Sequence, residues 1–171
     1  MKASFLCGAI MLLLVPAGWA QEANQTKPDF SGTWLLVRGS IRVDVTFGSP
    51  AVAFGRTFTI TQDATTLTIA AEAHFYPFGP RTYRLDGVWT IEPIRESLRD
   101  AYEDMFNGRV LVPSFMKTKA SWNGRSLALV MSSDLPNTEV TRALRLDEAG
   151  LLTIDSTLPR ELPLTSVYKK Q

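Results

Sequence analysis

The sequence predicts an all-β fold: a single antiparallel up-and-down barrel of about eight to ten strands, with one amphipathic helix inserted around residues 92–106. Three observations carry this expectation. From Thr33 onward, apolar residues recur with a period of two, the spacing of strands buried on one face. Turn residues punctuate those runs at short, near-regular intervals, as in a meander. A single stretch switches to helical spacing. A meander this long closes on itself or leaves reactive edges, which favours a barrel over an open sheet.

The chain begins with features of a leader. Lys2 supplies a positive start, and Ala9 to Val15 is apolar but shorter than the roughly 20 residues that span a bilayer. Pro16 breaks the run, and Gly18 and Ala20 put small residues where a signal peptidase reads, so residues 1–20 are expected to be a cleaved signal peptide. Cys7 precedes the apolar run, whereas an acylated cysteine would follow it. Export to the periplasm or the extracellular space follows as an expectation. No membrane span remains after cleavage.

Cleavage after Ala20 of the 171-residue chain leaves 151 residues, enough for one domain with its own core. It also removes the only cysteine and Lys2, leaving 17 basic against 17 acidic side chains. A neutral chain lacks the basic face that a nucleic acid would need. Without cysteine, and with His74 as the only histidine, disulfides and thiolate or His-cluster metal sites are excluded. No metal site and no cofactor are expected, because the sequence has neither a Gly-rich phosphate loop nor an HExxH motif.

Residues 21–28 are polar and read as a flexible N-terminus, and Asn24-Gln25-Thr26 is a glycosylation sequon in a eukaryotic pathway. The barrel domain is expected over 29–171. Trp34 to Arg38 and Ile41 to Phe47 read as one strand interrupted by a bulge at Gly39-Ser40. Phe58 and Ile60 alternate with threonines, as do Leu67 and Ile69, and Asp63-Ala64-Thr65 joins the two runs as a hairpin. Tyr83 and Leu85 end a strand at the Asp86-Gly87 turn. Asn123-Gly124 joins Met116–Trp122 to Ser126–Met131, the strongest short hairpin signal. Asp147 to Gly150 joins Glu139–Leu146 to Leu151–Leu158, and Leu164–Lys169 is the last strand. In the helical stretch, Ile94, Leu98, Ala101, Tyr102, Met105 and Phe106 share a face, with Pro93 near the start and Asn107-Gly108 at the stop.

Several of these residues resemble the secreted bacterial lipocalin-like proteins of the calycin kind. The pieces are Asp29-Phe30-Ser31-Gly32-Thr33-Trp34, Ile60-Thr61-Gln62-Asp63 with Leu67-Thr68-Ile69, Tyr83 to Gly87, Ala120 to Gly124, Leu151 to Ile154 and Val167-Tyr168-Lys169. The resemblance implies a barrel whose end is plugged by Trp34, with Gly32 allowing close backbone passage. It also implies that a basic side chain of the last strand, Lys169 or its neighbour Lys170, packs on the indole. The second lipocalin signature is absent, and the helical insertion departs from the plain pattern.

A barrel of this size either encloses a small ligand or fills itself with side chains. Alternation turns Tyr83, Met116 and Met131 inward. It also turns Arg142 inward, beside Val140, Leu144 and Leu146. An inward arginine requires a carboxylate from the protein or from a ligand; the ordinary alternative is a rim position from which it snorkels to water. The loop Phe75 to Pro80 is unusually aromatic, and its Tyr76 and Phe78 suit either a portal lip or a protein contact. The helix carries Glu92, Glu96, Asp100 and Asp104 at intervals of four, but Arg95 and Arg99 lie within a turn, the pattern of a solvated face.

No nucleophile–base pair is evident, so catalysis is not expected. The first reading is therefore an exported, non-catalytic barrel binding a small hydrophobic or amphipathic molecule, with Arg142, Tyr83, Tyr76, Phe78, Met116 and Met131 as binding residues. The alternative is a protein-interaction or structural module with a solid core and an aromatic contact loop at 75–80. The sequence leaves the oligomeric state open.

Overall fold

A computed structural model describes residues 26–39, 54–71, 80–97, 99–100, 112–159 and 162–171. They form ten antiparallel strands: β1 Gly32–Arg38, β2 Thr57–Gln62, β3 Thr66–Ala71, β4 Arg81–Arg84, β5 Thr90–Pro93, β6 Phe115–Asn123, β7 Ser126–Ser133, β8 Val140–Leu146, β9 Leu152–Thr157 and β10 Leu164–Lys170. They make one sheet, ordered β4-β3-β2-β1-β10-β9-β8-β7-β6-β5. Every neighbour in that order except β1 and β10 is also a neighbour in sequence. The meander therefore curls until its first and last strands pair.

The sheet's free edge, β4, comes against β6 beside the short β5, at a seam that nearly closes the barrel. Thr118 Oγ1 donates to the Thr82 carbonyl (3.3 Å), and the Gly87 amide donates to the Ala120 carbonyl (2.9 Å). Arg81 is buried there and pairs with Glu92 at 2.7 Å.

Alternation places the core where the sequence predicts, with Tyr168 in addition. Phe58, Ile60, Leu67, Ile69, Tyr83, Leu127, Leu129, Leu144, Leu152, Ile154 and Tyr168 point inward and are buried, with Leu85, Trp122 and Leu146 packed against them. Outward positions on β2 and β3 are largely threonines, which suit a solvated pleat.

One end of the barrel is closed by short turns and by the N-terminal segment. Trp34 is buried, and its indole N–H donates to the Phe30 carbonyl at 2.9 Å. Phe30 stacks on Trp122 (6.0 Å), and the Gln62 side chain clamps the Phe30 amide and the Pro28 carbonyl at 3.0 and 3.1 Å. Pro28, the last residue of the stretch expected to be a flexible N-terminus, is buried. Asp63 and Asp147 hold their turns by accepting backbone N–H groups, at 2.7 Å from Thr65 and 2.8 Å from Leu151. The longer connections, β1–β2, β3–β4, β5–β6 and β9–β10, all join strands at the opposite end.

The structure corrects several expectations. Ile91 and Glu92 belong to strand β5, and helical backbone appears only from Glu96, where the Arg99 amide bonds the Arg95 carbonyl (3.1 Å). The acidic ladder thus loses its first member to the seam. The β1–β10 pairing has an irregularity between Leu36 and Arg38, while Ser40 of the bulge expected at Gly39-Ser40 lies outside the described residues. The β6–β7 loop is Gly124-Arg125, one residue later than expected, because Asn123 pairs with Ser126. Gly124 takes the positive φ (57°) that the first loop position demands. Lys170, not Lys169, reaches the plug: its Nζ lies 5.9 Å from the Trp34 ring, while Lys169 faces outward opposite Leu35. Gly32, at φ 133°, passes so close that an added Cβ would meet Lys170 Cε at 2.4 Å. The expected signal peptide, Asn24 and Gln25 of the sequon, Ile41–Phe47, His74, residues 75–79 of the aromatic loop and the helix beyond Asp100 lie outside the described residues.

Candidate functional site

The inner wall formed by β6, β7 and β8 carries the site. Register settles which side chains meet there: Met131 stands between Thr118 on one side and Val140 on the other, and Arg142 stands between Leu129 and Ser156. Met116 lies two residues from Thr118 on the same face. Arg142, Met131 and Met116 are thus brought onto one patch of the inner wall, towards the end opposite Trp34.

Arg142 is 2% exposed, so it does not snorkel. No acidic side chain among the described residues lies within ion-pair distance of it. Its Cζ sits 4.9 Å from the centroid of Phe54, a cation–π contact that satisfies charge but no N–H group. Its Nε has no hydrogen-bond acceptor, and directly across the strand pair the buried Ser156 Oγ also has no partner. A guanidinium keeps its charge on burial, so leaving its donors unused is costly. Two adjacent buried donors aimed at the same interior suit an oxygen-rich anionic group.

The surroundings are aromatic and hydroxylic. Phe54 packs on Phe58 (5.0 Å), and Phe58 meets Tyr168 edge-on (4.8 Å). The Tyr168 hydroxyl donates to the Gly55 carbonyl at 3.2 Å. Burial pushes the Tyr168 phenol up to about 12, against the opposing pull of the Arg142 charge. Ser166, two residues before Tyr168 on β10, is buried on the same inner face.

Tyr83 stands apart from this group. It lies opposite Leu67 in the packed core, near the seam. Tyr76 and Phe78 are outside the described residues. Sequence reading missed Ser156, Ser166, Tyr168 and Arg81. Period two alone marks Ser156, which continues the alternation of Leu152 and Ile154, and Arg81, two before Tyr83.

The Trp34 half of the barrel is filled by its own side chains, several of them with no exposed surface. Two surface hollows, of about 430 and 530 Å³, lie beside the β2–β3 turn and along β1, and neither is lined by Arg142, Met116 or Met131.

No protein-family model matches the sequence, and neither does any curated protein. Solved structures do. The REP1-NXSQ fatty acid transporter is similar over 82% of this chain and 95% of its own, at 13% identity and a TM-score of 0.52. A mutant of the fluorescent protein UnaG is similar over 83% of this chain and 96% of its own, at 16% identity and a TM-score of 0.49. At such low identity the likeness to the transporter speaks to fold alone, a nearly closed antiparallel β-barrel.

Proposed function

We propose that this protein is an exported, non-catalytic barrel that binds a small amphipathic molecule. Its anionic group bonds Arg142 Nε and Ser156 Oγ, and its apolar part lies towards Met131, Met116 and Val140. The observation that carries this reading is a buried guanidinium facing the barrel interior with its Nε unused, beside a buried hydroxyl that is also unused. Charge-assisted bonds to a carboxylate would satisfy both. A structural neighbour named as a fatty acid transporter fits the same ligand class. The export step is supported by the leader-like residues 1–20 and is checked by N-terminal sequencing of the protein recovered outside the cytoplasm.

The binding step is tested by calorimetric titration of delipidated protein with a long-chain carboxylate and with the alcohol of equal chain length. The carboxylate should bind at least about tenfold more tightly, since each hydrogen bond to a charged group contributes roughly 1.5–3 kcal/mol. Equal affinities would exclude an anion site.

The close packing of the Trp34 half favours a second reading, in which the barrel is solid and the 75–80 loop meets a protein partner. Native mass spectrometry of protein from its own host separates the two, by a co-purifying small molecule or a bare mass.

A further inference from the structure

The outer wall of the barrel is uneven. On β2 and β3 the outward side chains are threonine or alanine, and these positions are polar or small. The seam edge differs. Ile91 is 64% exposed, Val88 50% and Trp89 37%, three large apolar residues within four positions. Ile91 stands opposite Lys117 on β6. Lys117 Nζ and Lys119 Nζ each lie 5.0 Å from the Trp89 ring centroid, so two ammonium groups ride on one half-exposed indole.

Neither lysine is neutralised by an acid among the described residues. The acids beside these strands are engaged elsewhere: Glu92 with Arg81, Asp86 with Arg84, and Asp134 with the Ser114 amide. The wall beyond β6 is also without acids, with Ala128 and Val130 outward on β7 and Thr141 and Ala143 outward on β8. A convex surface combining exposed aliphatic groups, an indole and unpaired cations matches a membrane–water interface, where aromatic rings sit at headgroup level and lysines meet anionic lipid. A second copy fits poorly, because a two-fold pairing of this face would set lysines against lysines.

We propose that the outer face of β5 and β6, built from Val88, Trp89 and Ile91 with Lys117 and Lys119, docks the protein on an anionic lipid bilayer. This docking is independent of what the interior holds.

The test is co-sedimentation of the protein, as recovered from its own host, with vesicles of phosphatidylcholine alone and of phosphatidylcholine mixed with phosphatidylserine. Binding is expected only to the anionic vesicles, and it should fall as salt rises. Lys117→Gln combined with Lys119→Gln is expected to weaken binding about 30-fold at low salt. Ile91→Ser should weaken it about tenfold while leaving the salt dependence unchanged. All three positions are on the outer wall, and circular dichroism verifies that the variants keep the β-fold. The proposal is overturned by equal binding to both vesicle types, by no binding, or by vesicle binding that the lysine and isoleucine variants leave intact. A solution dimer that Ile91→Ser dissociates would overturn it as well, since the face would already be covered.

Discussion

Replacing Arg142 with methionine should move stability and binding in opposite directions. Within the barrel the guanidinium is buried, meets no carboxylate among the described residues and leaves its Nε unused. Exchanging buried ionic groups for apolar side chains of similar volume is often neutral or stabilising, by about 1–4 kcal/mol. Against that stands the contact with Phe54, worth about 0.5–2 kcal/mol. The balance is a gain of roughly 1–2 kcal/mol, or an increase of about 2–8 °C in Tm for a chain of this size. Binding of a long-chain carboxylate should fall by one or two charge-assisted bonds, roughly 10- to 150-fold for each. Urea unfolding with and without ligand reads both effects in one series: the variant's midpoint should be higher than the parent's alone and rise less with ligand. A loss of about 3–5 kcal/mol without ligand would instead show that a protein carboxylate depends on Arg142. Unchanged carboxylate affinity would refute the anion site outright.

Other predictions follow from the same structure. Trp34→Ala empties the plug of the closed end and should cost about 3–5 kcal/mol in chemical denaturation, because the indole is 1% exposed. Tyr168→Phe removes the hydroxyl that bonds the Gly55 carbonyl, a cost of about 1 kcal/mol at neutral pH. The raised Tyr168 phenol also makes stability pH-dependent: it is complete below the ordinary phenol value of 10.0 and falls as pH rises towards about 12, because the unfolded chain ionises first. Unfolding midpoints of Tyr168→Phe should lack that alkaline slope. Asp63 gives the opposite case. The Thr65 amide, followed by the Thr66 hydroxyl and amide, holds its carboxyl far below the usual range, so its contribution is present above 3.8 and lost as pH falls. Asp63→Ala should lower Tm at neutral pH and flatten the acid limb of a pH–stability curve.

Most of the barrel is legible in the sequence because alternation is a physical requirement of a half-buried strand. Phe58/Ile60, Leu67/Ile69 and Leu127/Leu129 each state their facing without ambiguity. Strand β5 escapes this logic. Four residues ending in Pro93 are too few to show alternation, and Glu92 happens to stand at helical spacing from Glu96 and Asp100. The seam also recruits Glu92 for Arg81, a pairing between distant residues that local pattern does not contain.

The plug lysine is a matter of parity. Once Tyr168 faces inward, Lys170 does too and Lys169 cannot, but the sequence alone does not say which residue of β10 opposes Trp34. The candidate site was half visible. Arg142 declares itself as a charge in an apolar alternation, whereas Ser156 is an unremarkable serine until register places it opposite Arg142. Phe54 belongs to no strand, and only tertiary packing brings it over the guanidinium.

The most direct measurement is of the Arg142 Nε–H itself. Its nuclear magnetic resonance signal, assigned by its loss in Arg142→Met, should move downfield and become protected from solvent exchange when a long-chain carboxylate is added, and should not respond to the matching alcohol. A signal that ignores the carboxylate, or answers both compounds alike, would contradict an anion held inside the barrel by Arg142.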